Sequence, residues 1–135
     1  MNGISNIDLI QKSASAINPR NINGYTVGDV GCALVTDKGN VYTGVSIDTS
    51  SGMGFCAEHG AIAAMVTAGE SKIKKVVATW KNEKGEVYIL PPCGRCREFI
   101  KQMDPSNLDA IIMLGKENVV KLRDLLPHNS EFVKV

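Results

Sequence analysis

The chain has 135 residues, of which 44% are hydrophobic, and its net charge is +1 at pH 7. This size and composition predict one globular α/β domain over residues 1–135 with enough apolar side chains for a single core. The nearly neutral charge and an aromatic fraction of only 5% argue against a nucleic-acid partner, so we expect a small-molecule substrate.

The sequence also carries expectations about location. No apolar run approaches the ~18 residues that a membrane span needs, so we expect no membrane partner. The first residues lack a basic start followed by an apolar stretch, and we therefore expect no signal peptide. Three of the four cysteines stand in motifs typical of metal-binding thiolates, which favours the reducing cytoplasm. The fourth, Cys32, lies in an apolar run and is expected to be buried.

The first part of the chain is predicted to form a helix followed by a β-hairpin. Ser5 is typical of a helix N-cap, and the apolar residues that follow it at helical spacing end before Pro19. We expect a loop over residues 20–29. Strands are then predicted over residues 30–36 and 41–48, with a tight turn between them.

The rest of the chain alternates between predicted helices and strands. A helix is expected from about Cys56, with Gly69 as the glycine that ends it. The remaining predicted elements are, in chain order, an apolar strand over residues 73–80, a strand over 88–90, a helix over 93–103, strands over 110–114 and 119–121, and a helical turn over 121–126. This order predicts a layered α/β fold, in which helices cover the faces of a mixed sheet of about five strands.

Three cysteines and one glutamate occupy two short motifs, Cys56-Ala57-Glu58 and Pro92-Cys93-Gly94-Arg95-Cys96. Three thiolates can hold Zn²⁺ and leave its fourth tetrahedral position open, which distinguishes a catalytic zinc site from a structural one. Cys56 and Cys93 fall at the predicted starts of two helices, where free N–H groups favour negative charge. Glu58 follows a predicted ligand by two residues and is positioned to move protons for a water at the open position.

Other interpretations of these cysteines remain open from the residues alone. A lone Cys-x-x-Cys can be a redox pair, but that interpretation leaves Cys56 and Glu58 unexplained. A structural zinc knuckle requires a second Cys/His pair at short spacing, and the two histidines, His59 and His128, do not provide one. A zinc-stabilised binding module without activity is the alternative of another class, and the presence of Glu58 argues against it.

The two motifs, together with the earlier Gly44-Val45, resemble the cytidine deaminase family over about residues 24–127. The resemblance implies a three-layer cytidine deaminase-like fold and the hydrolysis of cytidine or deoxycytidine to the uridine product and ammonia, a step of pyrimidine salvage. Small members of this family are homotetramers with one zinc per subunit, so it also implies a homotetramer. The site residues that it implies are Glu58 as the proton carrier and Cys56, Cys93 and Cys96 as the zinc ligands.

Substrate contacts also follow from the resemblance. Family members carry a pyrimidine-packing Phe at the position of Gly28, and an Asn and a Glu that hold the ribose at the positions of Ser46 and Asp48. The missing ring and the shorter polar pair predict a roomier pocket that accepts modified cytosine nucleosides. The other implied contacts are Ala57 and Pro91 at the pyrimidine edge and Phe132 in the pocket of a neighbouring subunit.

The predicted zinc site needs nearby positive charge, because Zn²⁺ with three thiolates carries a net charge of −1. The side chains available to offset this charge are His59, Arg95 and Arg97. Blasticidin S deaminases belong to the same superfamily and share the Pro-Cys-Gly-Arg-Cys-Arg sequence found at residues 92–97. An aminoacyl cytosine nucleoside antibiotic such as blasticidin S is therefore the alternative substrate.

Overall fold

Three helices and seven strands make up the part of the chain that the computed structural model describes, residues 3–129 and 132–135. The helices are α1 (Asn6–Ala16), α2 (Ala57–Thr67) and α3 (Gly94–Met103), with single 3₁₀ turns at Pro105–Asp109 and Leu122–Leu125. The strands are β1 (Arg20–Ile22), β2 (Tyr25–Thr36), β3 (Val41–Asp48), β4 (Ile73–Lys81), β5 (Val87–Leu90), β6 (Ile111–Met113) and β7 (Val119–Lys121). None of these helices has the length and apolar character to cross a membrane.

The helix boundaries follow from their capping residues. The Ser5 hydroxyl accepts a hydrogen bond from the Asp8 N–H at 3.1 Å, which satisfies one of the free donors at the start of α1. Gly69 adopts a left-handed φ of 90° just beyond the end of α2, as predicted. The N-cap residues of α2 and α3 are Cys56 and Cys93. Both helices therefore begin at a predicted zinc ligand.

The strands form one mixed sheet. β3 pairs with one edge of β2, and β1 and β4 share its other edge, all antiparallel. The far edge of β4 carries β5 antiparallel and β6 parallel, and β7 pairs with β6. Because β1 continues the line of β4 and β5 continues that of β6, the seven strands make a sheet five strands wide. The predicted mixed sheet is confirmed, and β1 is the one strand of the described sheet that was not predicted.

The predicted loop over residues 20–29 is wrong, because these residues form β1 and the first part of β2. Asn23 and Gly24 join the two strands and both have positive φ, 51° and 86°, as a two-residue hairpin turn requires. The Gly24 N–H donates to the Asn21 side chain at 2.8 Å and fixes this turn. All three β1 residues are exposed, so the hairpin lacks the apolar alternation that marks a half-buried strand.

Helices cover both faces of the sheet, so the three-layer arrangement is confirmed. Alternate side chains of β2 enter the two cores. Cys32 and Leu34 belong to the core under α2 and α3, together with Ile62 of α2 and Ile100 of α3. The intervening residues of β2 belong to the opposite core with Leu9 of α1. Cys32 is fully buried, as predicted.

The backbone of α2 lies directly against β3, and this contact places the first turn of the helix. A Cβ atom at Gly44 would come within 2.3 Å of the Ala61 nitrogen and 2.7 Å of the Ala57 carbonyl oxygen. Gly60 of α2 faces Gly44, and a Cβ atom added at Gly60 would lie 3.3 Å from the Gly44 Cα. Only glycine at residue 44 permits this approach, which holds Cys56 and Glu58 against the sheet.

Substituting Gly44 with alanine should therefore destabilise the protein by about 1–3 kcal/mol, because the added methyl group forces α2 away from β3. The midpoint of urea unfolding measures this loss. Gly115→Ala is the matched control, since its Cβ would meet only Asn118, at ordinary contact distances of 3.4 Å to the Cβ and 3.9 Å to the backbone nitrogen. Equal midpoints for the two variants would contradict the close approach of α2.

Candidate active site

Three thiol sulfurs meet at the N-terminal ends of α2 and α3. The Cys56 Sγ lies 3.4 Å from the Cys93 Sγ, and the Cys93 Sγ lies 3.5 Å from the Cys96 Sγ. All three sulfurs lie within 4.8 Å of one another. Sulfurs held tetrahedrally at about 2.3 Å from one Zn²⁺ would be roughly 3.8 Å apart. The cluster therefore has the donor set and the size of a three-cysteine zinc site.

The protein environment acts unequally on the three thiols. Burial raises the pKa of Cys56 and of Cys96, and the Glu58 carboxylate adds to the increase at Cys96. Burial acts in the same direction on Cys93, but the N–H groups of Cys96 and Arg95 and the neighbouring thiols outweigh it and lower the Cys93 pKa. The N–H groups at the start of α3 therefore favour the thiolate form of Cys93, which is the form that zinc binds.

Glu58 lies on the first turn of α2, two residues after Cys56, and only 4% of its surface is exposed. Burial raises the pKa of its carboxyl group. A raised pKa makes a carboxylate a stronger proton acceptor, which favours a general acid–base role. Glu58 thus lies beside the thiols, where the sequence predicts a proton carrier.

Cys56, Cys93 and Glu58 line a cavity of about 550 Å³, which lies within the range of small-molecule sites, while Cys96 is buried behind it. The predicted site residues that line it are Ser46, Asp48, Cys56, Ala57, Glu58, Pro91, Cys93 and Arg95. They come from β3, the starts of both helices and the segment between β5 and α3. The fold therefore brings together residues that are up to 49 positions apart (95 − 46).

Residues 7–113 match the family model described as the cytidine and deoxycytidylate deaminase zinc-binding region. The chain belongs to this family. Zn²⁺ is accordingly its cofactor, and Cys56, Cys93 and Cys96 can hold the ion.

Named relatives of the deaminase family cover different parts of the chain. A protein named "probable cytidine deaminase" from Dictyostelium discoideum is 37% identical over 76 residues, 56% of this chain and 50% of that protein. A blasticidin-S deaminase from Bacillus cereus is 32% identical over 103 residues, 73% of this chain and 74% of that protein. A cytidine deaminase from Mycobacterium tuberculosis (strain CDC 1551 / Oshkosh) is 31% identical over 104 residues, 76% of this chain and 73% of that protein. The chain thus spans half the length of the first relative and about three quarters of the other two.

Solved structures of deaminases share the fold. A mutant cytidine deaminase from Mycobacterium tuberculosis superposes with a TM-score of 0.74 at 24% identity, covering 95% of this chain and 99% of that chain. The cytidine deaminase from Mycobacterium leprae superposes with a TM-score of 0.70 at 26% identity, covering 89% of this chain and 95% of that chain. These neighbours confirm the predicted cytidine deaminase-like fold.

Two of the side chains predicted to offset the charge of this deaminase site differ in their surroundings. The Arg95 guanidinium lines the cavity and donates to the Gly54 carbonyl at 3.3 Å. The His59 Nδ1 lies 3.5 Å from the Cys96 Sγ, and its ring stacks on Phe99 with the centroids 4.6 Å apart. Burial, with Arg95 nearby, lowers the His59 pKa. His59 therefore contacts a thiol behind the cavity, whereas Arg95 faces the space that a substrate would enter.

Arg97 and Phe132 lie away from the cavity. The Arg97 Nε donates to the Pro92 carbonyl at 2.8 Å, and its Nη1 donates to the Leu125 carbonyl at 3.4 Å. Arg97 thus connects the start of α3 to the second 3₁₀ turn. Phe132 is fully exposed and does not line the cavity of its own chain.

The prediction that the missing aromatic ring at Gly28 enlarges the substrate pocket is wrong. Gly28 has a φ of 80°, and a Cβ atom there would lie 2.1 Å from the Asn18 carbonyl oxygen. Gly28 is not among the residues that line the cavity. A phenylalanine at this position would therefore collide with the backbone after α1 instead of filling the substrate space. The residue lies in a β-bulge of β2, where the Val30 N–H donates to the Ser46 hydroxyl at 3.0 Å.

Several residues that the sequence did not indicate also line the cavity. The aromatic walls come from Phe55 and Trp80, and Asp29 adds a carboxylate from the bulge of β2. Trp80 stands near the end of β4, is 40% exposed and packs its ring 5.7 Å from that of Tyr88. Trp80 directly follows the buried run of residues 76–79 in β4, and an aromatic side chain at the exposed end of a strand was the signal available in the sequence.

Proposed function

We propose that this protein is a zinc-dependent hydrolase that converts cytidine or deoxycytidine into the uridine product and ammonia. The observation that carries the proposal is the buried Glu58 carboxyl beside the three-thiol cluster, at the wall of a cavity of about 550 Å³. Cys56, Cys93 and Cys96 hold the zinc, and one domain over residues 1–135 carries the activity.

The chemistry divides between the metal and Glu58. When bound, Zn²⁺ supplies Lewis-acid activation of a water molecule. Glu58 accepts a proton from the attacking water and delivers it to N3 of the cytosine ring, which makes C4 more electrophilic. After the water oxygen has bonded to C4, Glu58 carries the second proton to the amine, which leaves as ammonia. One water is consumed for each ammonia released, and Glu58 ends in its starting state.

The cavity supplies groups for positioning the nucleoside. The N–H of Ala57 and the carbonyl of Pro91 hold the pyrimidine edge in this proposal, and Phe55 and Trp80 flank the bound molecule. Asp48 accepts hydrogen bonds from the sugar. The Ser46 oxygen already accepts a hydrogen bond from the Val30 N–H. In this proposal the Ser46 hydroxyl therefore donates a hydrogen bond to the sugar.

Charge compensation in the proposed site is shared. Arg95 is the cavity-lining cation nearest the ligands in sequence, standing between Cys93 and Cys96. His59 contacts the Cys96 sulfur, and an N–H donor there would reduce the charge on the thiolate. Arg97 acts indirectly, because its guanidinium donates a hydrogen bond to the carbonyl of Pro92, the residue before Cys93.

Deamination of an aminoacyl cytosine nucleoside such as blasticidin S is the second candidate function. Its support is the 32% identity with a blasticidin-S deaminase and the position of Arg95 in the cavity. A zinc-stabilised binding module is less consistent with the site, because burying a carboxyl group such as Glu58 costs free energy that a structural zinc centre does not require.

Ultraviolet assays on cytidine, deoxycytidine, cytosine and blasticidin S test the proposed function. We expect ammonia release from cytidine or deoxycytidine and none from free cytosine, which lacks the sugar contacts. Turnover of blasticidin S alone would establish the second candidate instead. The absence of ammonia from all four compounds, with stoichiometric zinc bound, would favour the binding module.

We further propose a cytoplasmic homotetramer in which Phe132 enters the cavity of a neighbouring subunit. The support is the exposed apolar character of the C-terminal residues, with Phe132, Val133 and Val135 almost entirely open to solvent. Light scattering should give about four times 14.5 kDa, and Phe132→Ala should raise KM if the ring reaches the substrate. A fully active monomer at assay concentration would contradict the assembly.

A further inference from the structure

Two aspartates line the cavity from adjacent strands. Asp29 lies in the bulge of β2, and Asp48 is the last residue of β3, whose end pairs with Thr26 of β2. Neither takes part in any of the ion pairs that the structure describes. The strand ends therefore contribute two carboxylate residues to the cavity lining, and no ion pair among the described residues involves either of them.

The positive charge in the cavity lies near the cysteines of the predicted zinc site. Arg95 is the one basic residue lining the described cavity, and its guanidinium donates to the Gly54 carbonyl near Cys56. Trp80 also lines the cavity and leaves 40% of its surface exposed. The face of an indole ring attracts cations. The cavity thus combines one basic side chain near the thiols with two carboxylates and an aromatic ring on the strand walls.

We propose that the cavity selects cytosine nucleosides that carry a positively charged group on the side of the sugar away from the reacting ring. Asp29 and Asp48 attract an ammonium or guanidinium group there and repel a phosphate. Trp80 supplies the aromatic face for the same cation. The inference rests on the proposed deaminase function and adds a specificity role for Asp29 and Trp80, which the deamination chemistry itself does not use.

A series of three substrates tests this selectivity. 5′-Amino-5′-deoxycytidine, cytidine and cytidine 5′-monophosphate share one base and differ at the 5′ position in having a positive, a neutral and a negative group. We expect kcat/KM for the monophosphate to be at least about tenfold below that for cytidine, the effect of one like charge a few ångströms away near a protein surface. The amino nucleoside should exceed cytidine in kcat/KM, because its positive charge lies near the two carboxylates.

Charge-neutral variants identify the groups responsible. Asp29→Asn should raise the monophosphate-to-cytidine ratio of kcat/KM by several fold and lower the amino-to-cytidine ratio. Asp48→Asn should shift both ratios in the same directions. The matched control is Glu83→Gln, which removes one negative charge from an exposed turn outside the cavity and should leave both ratios unchanged. Trp80→Leu should reduce only the advantage of the amino nucleoside.

The outcomes separate the selectivity from the proposed function. If cytidine is deaminated and the amino nucleoside reacts no better than cytidine, or the monophosphate reacts equally well, the selectivity is overturned while the deaminase function stands. If Asp29→Asn and Glu83→Gln shift the ratios alike, the charge effect is not local to the cavity and the role of Asp29 is overturned. If none of the three compounds releases ammonia, the deaminase function is overturned and the selectivity falls with it.

Discussion

Glu58→Gln should reduce cytidine turnover by at least about 10²–10⁴-fold, the range for loss of a general acid–base group. Glutamine has nearly the same shape as glutamate, but its amide cannot accept a proton from water and return it to N3 and the leaving amine. The side chain is 4% exposed, so the substitution changes a buried group whose volume is conserved. Because Glu58 is not a proposed ligand, the zinc content should remain at about one per chain.

Two measurements separate the proton-transfer role from a structural one. Metal analysis and the thermal midpoint should be close to wild type in Glu58→Gln, while kcat falls. Glu98→Gln is a suitable control, because Glu98 is a carboxylate of α3 outside the cavity and its removal should leave kcat unchanged. A Glu58→Gln protein that keeps near wild-type turnover, or that loses zinc together with activity, would contradict the assignment.

Removing two thiols should remove the metal. In a Cys93→Ala/Cys96→Ala protein, zinc should fall from about one per chain to a trace, and cytidine turnover should be lost with it. The three sulfurs lie within 4.8 Å of one another, so one remaining thiol cannot replace the set. Because a metal that binds only the folded state stabilises it, the thermal midpoint should also drop.

Cys32→Ala is the matched control for the thiol variant. Cys32 is a fully buried cysteine of β2 that does not belong to the three-sulfur cluster. Its substitution should lower stability through lost packing and leave one zinc per chain. Full zinc occupancy in the double variant, or loss of zinc in Cys32→Ala, would place the metal elsewhere.

Much of the site could be predicted because its signals are local. Cys56 and Cys93 are each the N-cap of a helix, so the residues that would bind zinc also stand at helix starts that the apolar pattern indicates. The predicted strand over residues 41–48 matches β3 in full, because turn residues bound a clear β-branched run. Glu58 follows from its short spacing to Cys56.

The features that were missed depend on contacts between distant segments. Asp29 and Trp80 line the same cavity only because residues 30–36 of β2 pair with β4, and one sequence does not reveal that pairing. The left-handed φ of Gly28 reverses the direction in which a side chain would point, so the position in the motif did not predict its place in the structure.

The buried hydrogen bonds of Asn107 could not be predicted from the sequence either. Asn107 lies in the unpredicted 3₁₀ turn at Pro105–Asp109, is fully buried and accepts from the Ile73 N–H at 2.8 Å. Its amide donates to the Ser71 and Ile100 carbonyls at 3.0 and 2.9 Å. An asparagine after a proline is typical of an exposed turn, whereas here it connects β4 to α3. That role requires the tertiary arrangement.

Reconstitution with zinc measures whether deamination depends on one metal ion per chain. The purified protein is stripped with a chelator, Zn²⁺ is added in steps, and ammonia release from cytidine is measured at each step. We expect almost no activity in the stripped protein and a linear recovery that reaches its plateau at one Zn²⁺ per chain. Full activity in the stripped protein, or no recovery when the thiols have bound one zinc per chain, would contradict this dependence.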